Sequence, residues 1–324
     1  MSSRTPKVTS LLLRRRAQAL HRYLPAAIAG DDTGVHQARV ASRRLREAVP
    51  VLAGDLKHAG KASRKIRRLT RALGSVRELD VSLQLLDELS ASDQLSRPAL
   101  QDVRLHVVEE RDRRRESMLA QLADVNAEKL ERRLKSVTEA LDLDESQAWR
   151  QALGTRLVNR AKRLVTAIDT AGQLYAAERL HQVRLACKKL RYGLELAADS
   201  GVKAAAPIVR SLKRTQELLG RLNDLQVLQT HVAAVQAAPA GRAVPHQGLA
   251  AIAGSIEEEC RRLHGRYIAQ SEALRELAAT VPLQIVPRLA RRTRPLKMGL
   301  RRARKVAGKA GSSRRNAVGK TGSR

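Results

Sequence analysis

Val35–Val51 reads VHQARVASRRLREAVPV, and Leu180–Leu196 reads LHQVRLACKKLRYGLEL. Within the first twelve positions of each stretch, His, Gln, Arg, Ala, Leu and Arg recur in register, and the second histidine follows the first by 145 residues. A second block recurs at nearly the same interval: IRRLTRALGSVRELDV begins at Ile66 and LKRTQELLGRLNDLQV at Leu212. Two blocks that share nearly one offset indicate an internal duplication, which predicts two similar structural units.

The units are predicted to be helical bundles. Nearly every long segment carries apolar residues at a period of 3.6, and the alternating pattern of strands is missing. Phe is absent and aromatic residues make up 2% of the chain, so the core must be built from Leu, Ala, Val and Ile, which suits packed helices. The two bundles are predicted to meet near Asp142–Gln147.

Turn and breaker residues predict several helix ends. GDDTG at Gly30–Gly34 is predicted to end the first helix and to cap the second, and Pro50 to bend or stop the second. One long helix is predicted from about Ala99 towards Leu130.

The charge of the chain indicates a polyanionic partner. The 324 residues include 62 Lys and Arg against 32 Asp and Glu, for a formal charge of +30. Such an excess is typical of proteins that bind nucleic acid, an anionic membrane or a phosphate polymer. From residue 286 to the end there are fourteen Lys and Arg and no Asp or Glu, and this basic tail is expected to be disordered on its own.

Each copy of the first repeated block predicts a cationic stripe along one helix face. At 100° per residue, the stripes are His36, Arg39, Arg43 and Arg46, and His181, Arg184, Lys188 and Arg191. The opposite faces are predicted to enter the core through Ala38, Ala41, Leu45, Ala48 and Leu52, and through Val183, Ala186, Leu190 and Leu194.

Two interpretations of the stripes remain open. A cationic helix face is often merely solvated, but few acids are placed at helical spacing here, Glu47 within reach of Arg43 and Glu195 within reach of Arg191. A stripe of about 15 Å suits an extended chain of phosphates, which Arg binds bidentately. Each histidine either donates to phosphate or makes a structural hydrogen bond near the start of its helix.

Other basic residues are divided between site and surface. They are Arg64, Arg67, Arg68 and Arg71 in the first copy, Arg210, Lys213, Arg214 and Arg221 in the second, and Arg111, Arg114, Arg115, Arg261, Arg262 and Arg266 on the helices that follow.

No catalytic or cofactor chemistry is predicted. Cys187 and Cys260 are expected to be small buried residues, and no spacing motif for a metal surrounds the histidines. We expect no cofactor, no metal and no membrane span, and the absence of a signal peptide leads us to expect a cytoplasmic protein.

With its two His-x-x-Arg-x-x-x-Arg/Lys-x-x-Arg motifs and the blocks LGSVRE and LGRLND, the chain resembles the CHAD family, the conserved histidine α-helical domain. The resemblance covers most of residues 11–282. It implies an all-α fold of two tandem pseudo-symmetric four-helix-type bundles with a basic cleft. The domains are expected at residues 1–140 and 141–285, with the basic tail at 286–324.

The resemblance also implies binding of inorganic polyphosphate and a location at polyphosphate granules. The implied polyphosphate-binding residues are His36, Arg39, Arg43, Arg44, Arg46, Arg64, Arg68, His181, Arg184, Lys188, Lys189, Arg191, Tyr192, Lys213 and Arg214. The chain departs from the family pattern at Glu78, where the family often has Asp, and Glu217 puts an acid where the first copy has Arg71.

Three functions compete at this point. The leading one is a non-enzymatic polyphosphate-binding protein, and the alternative is a DNA- or RNA-binding protein that uses the basic surface and the tail. Against nucleic acid, aromatic stacking residues are almost absent. A third is an enzyme or its regulatory subunit, although the Glu-x-Glu-x-Lys strand of the triphosphatase domain found in some CHAD proteins is missing, and so is a glycine-rich phosphate loop.

Overall fold

The structure, a computed structural model, describes residues 7–54, 56–91, 95–144, 147–237 and 246–291. These residues form helices and connecting turns. The helices are α1 (Val8–Ile28), α2 (Asp32–Leu52), α3 (Ala59–Ala72), α4 (Arg77–Ser90), α5 (Arg97–Ala123), α6 (Ala127–Leu143), α7 (Ala148–Ala171), α8 (Ala177–Asp199), α9 (Ala205–Gln236), α10 (His246–Gln284) and α11 (Val286–Ala290). The predicted all-α class is therefore confirmed.

The second repeat forms a closed bundle of four helices. In it, α7 packs on α8, α8 on α9, α9 on α10, and α10 back on α7. In the first repeat the corresponding ring consists of α1, α2, α3 and α6, because the chain breaks between α3 and α4 and again between α5 and α6. The α4–α5 hairpin lies against α9, so the two repeats share an extensive contact.

The local signals at Gly30 and Asp31 act as predicted. Gly30 has a φ of +84°, a left-handed conformation that glycine adopts readily, and it ends α1. The Asp31 carboxylate accepts a hydrogen bond from the backbone N–H of Gly34 and caps α2. Pro50 falls in the last turn of α2, which ends two residues later at Leu52, because proline removes a backbone N–H donor and its ring disfavours further helical turns.

The helix predicted from Ala99 towards Leu130 is wrong in its continuity. It ends at Ala123, and Asn126 starts a new helix by accepting, through its side-chain oxygen, a hydrogen bond of 2.7 Å from the N–H of Lys129. The asparagine cap is a local signal for this break that the 3.6-residue period does not contain.

The helix ends also fall differently from the predicted domain limits. The first division at residue 140 lies inside α6, whose Asp142 accepts hydrogen bonds from α1, one of 3.1 Å from Arg14. Residues 286–290, assigned to the tail, form α11, where Leu289 is buried against α7. The rest of the predicted tail, from residue 292, lies outside the described residues. The three-domain division itself stays a prediction.

Candidate anion-binding site

The two cationic stripes lie next to each other because α2 packs against α8. Their core faces are as predicted: Ala38 and Leu45 are buried in the first repeat, and Val183 and Leu190 in the second, while Ala186 is half-buried. The stripe residues that interact across the two helices are called here the cationic cluster: Arg39, Arg43 and Arg46 of α2, with Arg184 and Lys188 of α8.

The cluster has no carboxylate partner. Glu47, expected to reach Arg43, instead pairs with Arg160 of α7, whose Nη1 lies 2.6 Å from Oε1, and more distantly with Arg156. Within the described part of the chain, none of the five cluster residues forms an ion pair. Glu78, Glu47 and Asp224 each act on one cluster arginine without forming an ion pair with it, so much of the mutual repulsion is left for an external anion to relieve.

The crowding of like charges shifts the pKa values of the cluster. Burial, together with Arg43, Arg184, Arg39 and Arg46, lowers the pKa of Lys188 to about 7. Burial is also the main cause that lowers the pKa of Arg39 to about 10, with Arg43 next. Even so, the arginines keep their charge at neutral pH, whereas Lys188 is poised to gain or lose a proton.

Two buried donors in the cluster have no hydrogen-bond partner. They are the Nε–H groups of Arg39 and Arg184, which occupy the same position in the two repeats. A buried donor without a partner costs about 1–3 kcal/mol, and most such donors in proteins are satisfied. Anionic oxygen atoms are the acceptors that arginine donors of this kind bind best.

The two histidines differ in their surroundings. His181 is half-buried, and its Nδ1 lies 2.6 Å from the side-chain oxygen of Asn223, an acceptor to which Nδ1 donates. Arg77 occupies the position of Asn223 in the first repeat and cannot accept a hydrogen bond. The pKa of His36 is lowered, first by the partial desolvation of its side chain and then by Arg77 and Arg39. His36 is exposed and lines a pocket of about 450 Å³ with the same two arginines.

The ends of the two LG blocks lie on α4 and α9, which pack together, and their charged residues interact with arginines of the cluster. Burial raises the pKa of Asp224, while Arg184 and Arg77 oppose that shift. Glu78, the residue equivalent to Asp224, acts on the pKa of Arg39 in the first repeat. Each repeat therefore holds an acid near the partnerless arginine of its stripe. Arg77 and Asp224 were missed as site residues, although the repeated LG-x-x-(R/N)-(D/E) block contains both.

Comparison with known proteins identifies the family. The family model of the CHAD domain matches residues 11–233, more than two thirds of the chain.

This chain belongs to the CHAD domain family.

Two solved structures show the same fold. The CHAD domain from the plant Ricinus communis is 22% identical, with a TM-score of 0.56 over 84% of this chain and 90% of that chain. PptA from Streptomyces chartreusis is 16% identical, with a TM-score of 0.60 over 83% of this chain and all of that chain. Among curated proteins no significant match is found.

The described part of this CHAD chain contains neither a candidate membrane span nor a candidate metal site. No helix there is long and apolar enough to cross a membrane. Nor do those residues include a group of three or more His, Cys, Asp or Glu placed to hold a metal ion.

In the second CHAD repeat, Arg191 has a supporting position. As expected from helical spacing, it pairs with Glu195, and its Nε also donates to the side-chain oxygen of Gln216 at 2.7 Å. The guanidinium lies 4.7 Å from the ring centre of Tyr192. Tyr192 in turn interacts electrostatically with Arg39 and Arg46, so Arg191 fixes an aromatic ring beside the cluster.

Other residues implied by the CHAD resemblance lie outside the cluster. Arg44, Lys189, Arg64, Arg68, Lys213 and Arg214 are exposed. Lys213 pairs with Glu217 at 3.6 Å, and Arg68 lies beside Lys65. The pKa of Arg46 is lowered by burial and Arg43, and more weakly by Arg67, so α3 approaches the cluster through Arg67 instead.

Five of the six arginines of α5 and α10 that the sequence left divided between site and surface form ion pairs. The pairs are Arg111–Asp80, Arg115–Asp32, Arg114–Glu110, Arg261–Glu257 and Arg262–Glu259. These contacts favour the surface interpretation for these five arginines of the CHAD chain.

Proposed function

We propose that this protein binds inorganic polyphosphate at the cationic cluster and does not act on it chemically. The observation that carries the proposal is the pair of partnerless Nε–H groups on Arg39 and Arg184. They come from equivalent positions of two repeats and lie in a cluster whose five residues form no ion pair with a described acid. A polymer of phosphates supplies both the hydrogen-bond acceptors and the negative charge that such a cluster lacks.

The extent of the stripes favours a polymer over a single small anion. Residues 36–46 of α2 cover roughly 15 Å, and residues 181–191 of α8 cover a similar length. An extended chain can place successive phosphates along both helices, and Arg binds phosphate oxygen atoms bidentately where Lys acts as a point charge. Family membership supports the same ligand, since CHAD proteins are associated with polyphosphate.

The proposal includes a cellular location and a lack of catalysis. A polyphosphate-binding protein of this kind would be cytoplasmic and would gather at polyphosphate granules. Binding alone is proposed because the sequence carries no phosphate-loop motif and no Glu-x-Glu-x-Lys strand.

The test is a pair of variants with the same loss of charge. The cluster variant combines Arg39→Ala, Arg43→Ala, Arg184→Ala and Lys188→Ala. The control variant combines Arg64→Ala, Arg68→Ala, Lys213→Ala and Arg214→Ala, all exposed and outside the cluster. Both are compared with the full chain in titrations with labelled long-chain polyphosphate at fixed near-physiological salt, after circular dichroism has shown that both are folded.

We expect the cluster variant to lose at least about a hundredfold in affinity and the control variant less than about tenfold. Each charge-assisted hydrogen bond contributes about 1.5–3 kcal/mol, whereas a distant surface charge is screened by salt. Equal losses in the two variants would mean that net charge, and not the cluster, holds the polymer.

The nucleic-acid alternative is tested by competition on the same protein. Duplex DNA and single-stranded RNA are added against bound polyphosphate, with concentrations counted in phosphates. If either competes equally per phosphate, the cluster is a general polyanion surface, because phosphate contacts dominate non-specific nucleic-acid binding. If long polyphosphate prevails by orders of magnitude, the alternative fails.

A further inference from the structure

Lys188 is an exception among the cluster residues. The equivalent residue of the first repeat is Arg43, so the lysine is peculiar to the second repeat. Its ammonium faces Arg39, Arg43 and Arg46 across the helix contact and Arg184 one turn before it on α8. Lys188 forms no ion pair with any described residue, whereas its neighbour Arg184 interacts with Asp224 of α9.

This surrounding makes the amine of Lys188 a nucleophile. Its pKa is lowered to about 7, by burial first and then by the four arginines, so about half of the molecules carry a neutral amine at neutral pH. Desolvation and a neighbouring cation are the two ways in which proteins activate lysine for attack on carbonyl carbon. The side chain is half-buried and retains access to small solutes.

The same cluster also suits the phosphate leaving group of one class of acylating reagent, the acyl phosphates. The partnerless Nε–H groups of Arg39 and Arg184 are donors for phosphate oxygen atoms. A small acyl phosphate held there by its phosphate would have its carbonyl carbon beside the amine. Proximity of this kind converts a slow bimolecular reaction into an effectively intramolecular one.

We propose that Lys188 is a site of acylation by small acyl phosphates, which the arginines of the cluster hold next to its amine. This inference rests on the anion-binding site of the proposed function. The amine nitrogen attacks the carbonyl carbon and an amide N–C bond forms. The bond between the carbonyl carbon and the bridging oxygen of the phosphate breaks. Inorganic phosphate leaves with the electron pair, and the proton lost by the amine passes to phosphate or water.

Acylation would regulate polymer binding. The amide removes the positive charge at the centre of the cluster, so it weakens binding of polyphosphate. Conversely, bound polymer occupies the arginines and favours the protonated form of the amine. Both effects protect Lys188 from acylation. Acyl phosphate and polyphosphate would then compete for one site.

The test uses the full chain and acetyl phosphate. Cleavage after Glu178 and Glu195 places Lys188 and its neighbour Lys189 in one peptide, where mass spectrometry measures the acetylation of each. Lys189 is the internal control, since it is exposed and outside the cluster. Lys65 on α3 is a second control, because burial and Arg133 also lower its pKa but it is not a cluster residue.

At about pH 7.5 the Lys188 amine is mostly neutral, whereas an ordinary lysine is neutral in about one molecule in a thousand. A less basic amine is also a weaker nucleophile, so we expect about a tenfold net advantage over Lys189. Acetic anhydride, which has no phosphate, reports that advantage alone. Acetyl phosphate should raise the ratio further, and Arg39→Ala should reduce this additional selectivity.

The inference is overturned if Lys188 reacts no faster than Lys189, or if acetyl phosphate is no more selective than acetic anhydride. Independent titration with polyphosphate separates this result from the proposed function. Polymer binding without selective acetylation defeats the inference alone. Selective acetylation of a protein that fails to bind polymer, and is not protected by it, supports the inference and defeats the proposed function.

Discussion

Raising the pH should weaken polyphosphate binding through Lys188. In the free protein the pKa of Lys188 is about 7, because the amine is partly buried among four arginines. Phosphates bound on the cluster favour the charged amine and raise that pKa towards its ordinary range. Binding therefore takes up a proton above pH 7, and affinity is fully present below pH 7 and falls as the pH rises beyond it.

The magnitude follows from proton linkage. Each pH unit above 7 costs at most about 1.4 kcal/mol, or tenfold, as long as the bound amine stays charged. Solvent screening at this half-exposed position reduces the effect, and we expect roughly a tenfold loss of affinity between about pH 7 and 9.

The assay is a fluorescence titration with long-chain polyphosphate at constant ionic strength, repeated across this pH range. Lys188→Arg is the matched variant, since arginine keeps its charge and already occupies the equivalent position in the first repeat. We expect affinity of the variant to be nearly flat with pH. Equal pH dependence in both proteins would refute the reasoning.

The same residue should act in the opposite direction on folding without polymer. In the unfolded chain Lys188 has an ordinary pKa, so the unfolded state binds more protons between about pH 7 and 10. The free energy of unfolding should therefore rise with pH in this window, and Lys188→Arg should remove that rise. Urea denaturation at several pH values measures it, and a wild-type contribution that falls with pH would contradict the assignment.

Three stability predictions rest on urea denaturation. Arg160→Ala leaves the carboxylate of Glu47 buried without its partner 2.6 Å away and should cost about 3 kcal/mol, whereas Ala at the exposed neighbour Lys162 should cost little. Gly34→Ala puts a Cβ 2.7 Å from a side-chain carbon of α1 and should cost at least about 2 kcal/mol. Gly220→Ala meets nothing within 4 Å inside α9 and should stabilise by about 0.5–1 kcal/mol. Unchanged stability in the first two, or a loss in the third, would contradict the packing described.

The ion pairs that connect the two repeats could not be predicted from the spacing of residues within one helix. Arg16 and Arg160 occupy equivalent places on α1 and α7, and each donates to a backbone carbonyl in its own repeat, of Arg44 and Lys189 respectively. Each also pairs with an acid of the other repeat: Arg16 Nη2 lies 2.7 Å from Asp199, and Arg160 pairs with Glu47. Helical spacing assigns partners only within one helix, which is why it paired Glu47 with the wrong arginine.

Local chemistry was sufficient for the helices and their faces. The 3.6-residue period placed Leu45 and Leu190 in the core and the stripe cations away from it, because a helix fixes the angle between residues wherever it packs. The repeated block was likewise sufficient to show the duplication. Site residues on a stripe were therefore predictable, while Arg77 and Asp224, which approach the stripes from other helices, were not.

One pair of equivalent glycines shows a feature of the fold that the local sequence does not determine. Gly74 and Gly220 occupy equivalent positions, yet the chain breaks after α3 at the first and continues through α9 at the second. The difference goes with packing, since α4 departs from the first bundle to lie on α9.

By itself, the sequence determined that this protein is helical, duplicated and cationic along one face of each repeat, since all three depend on residues near each other in the chain. Only the tertiary structure decided that the two faces converge. It placed Lys188 beside arginines of the other repeat and paired Glu47 with Arg160 of α7. It also left the Nε–H groups of Arg39 and Arg184 without an acceptor. These outcomes depend on which helices pack together, and that choice is made by the burial of the whole apolar surface and not by any single helix.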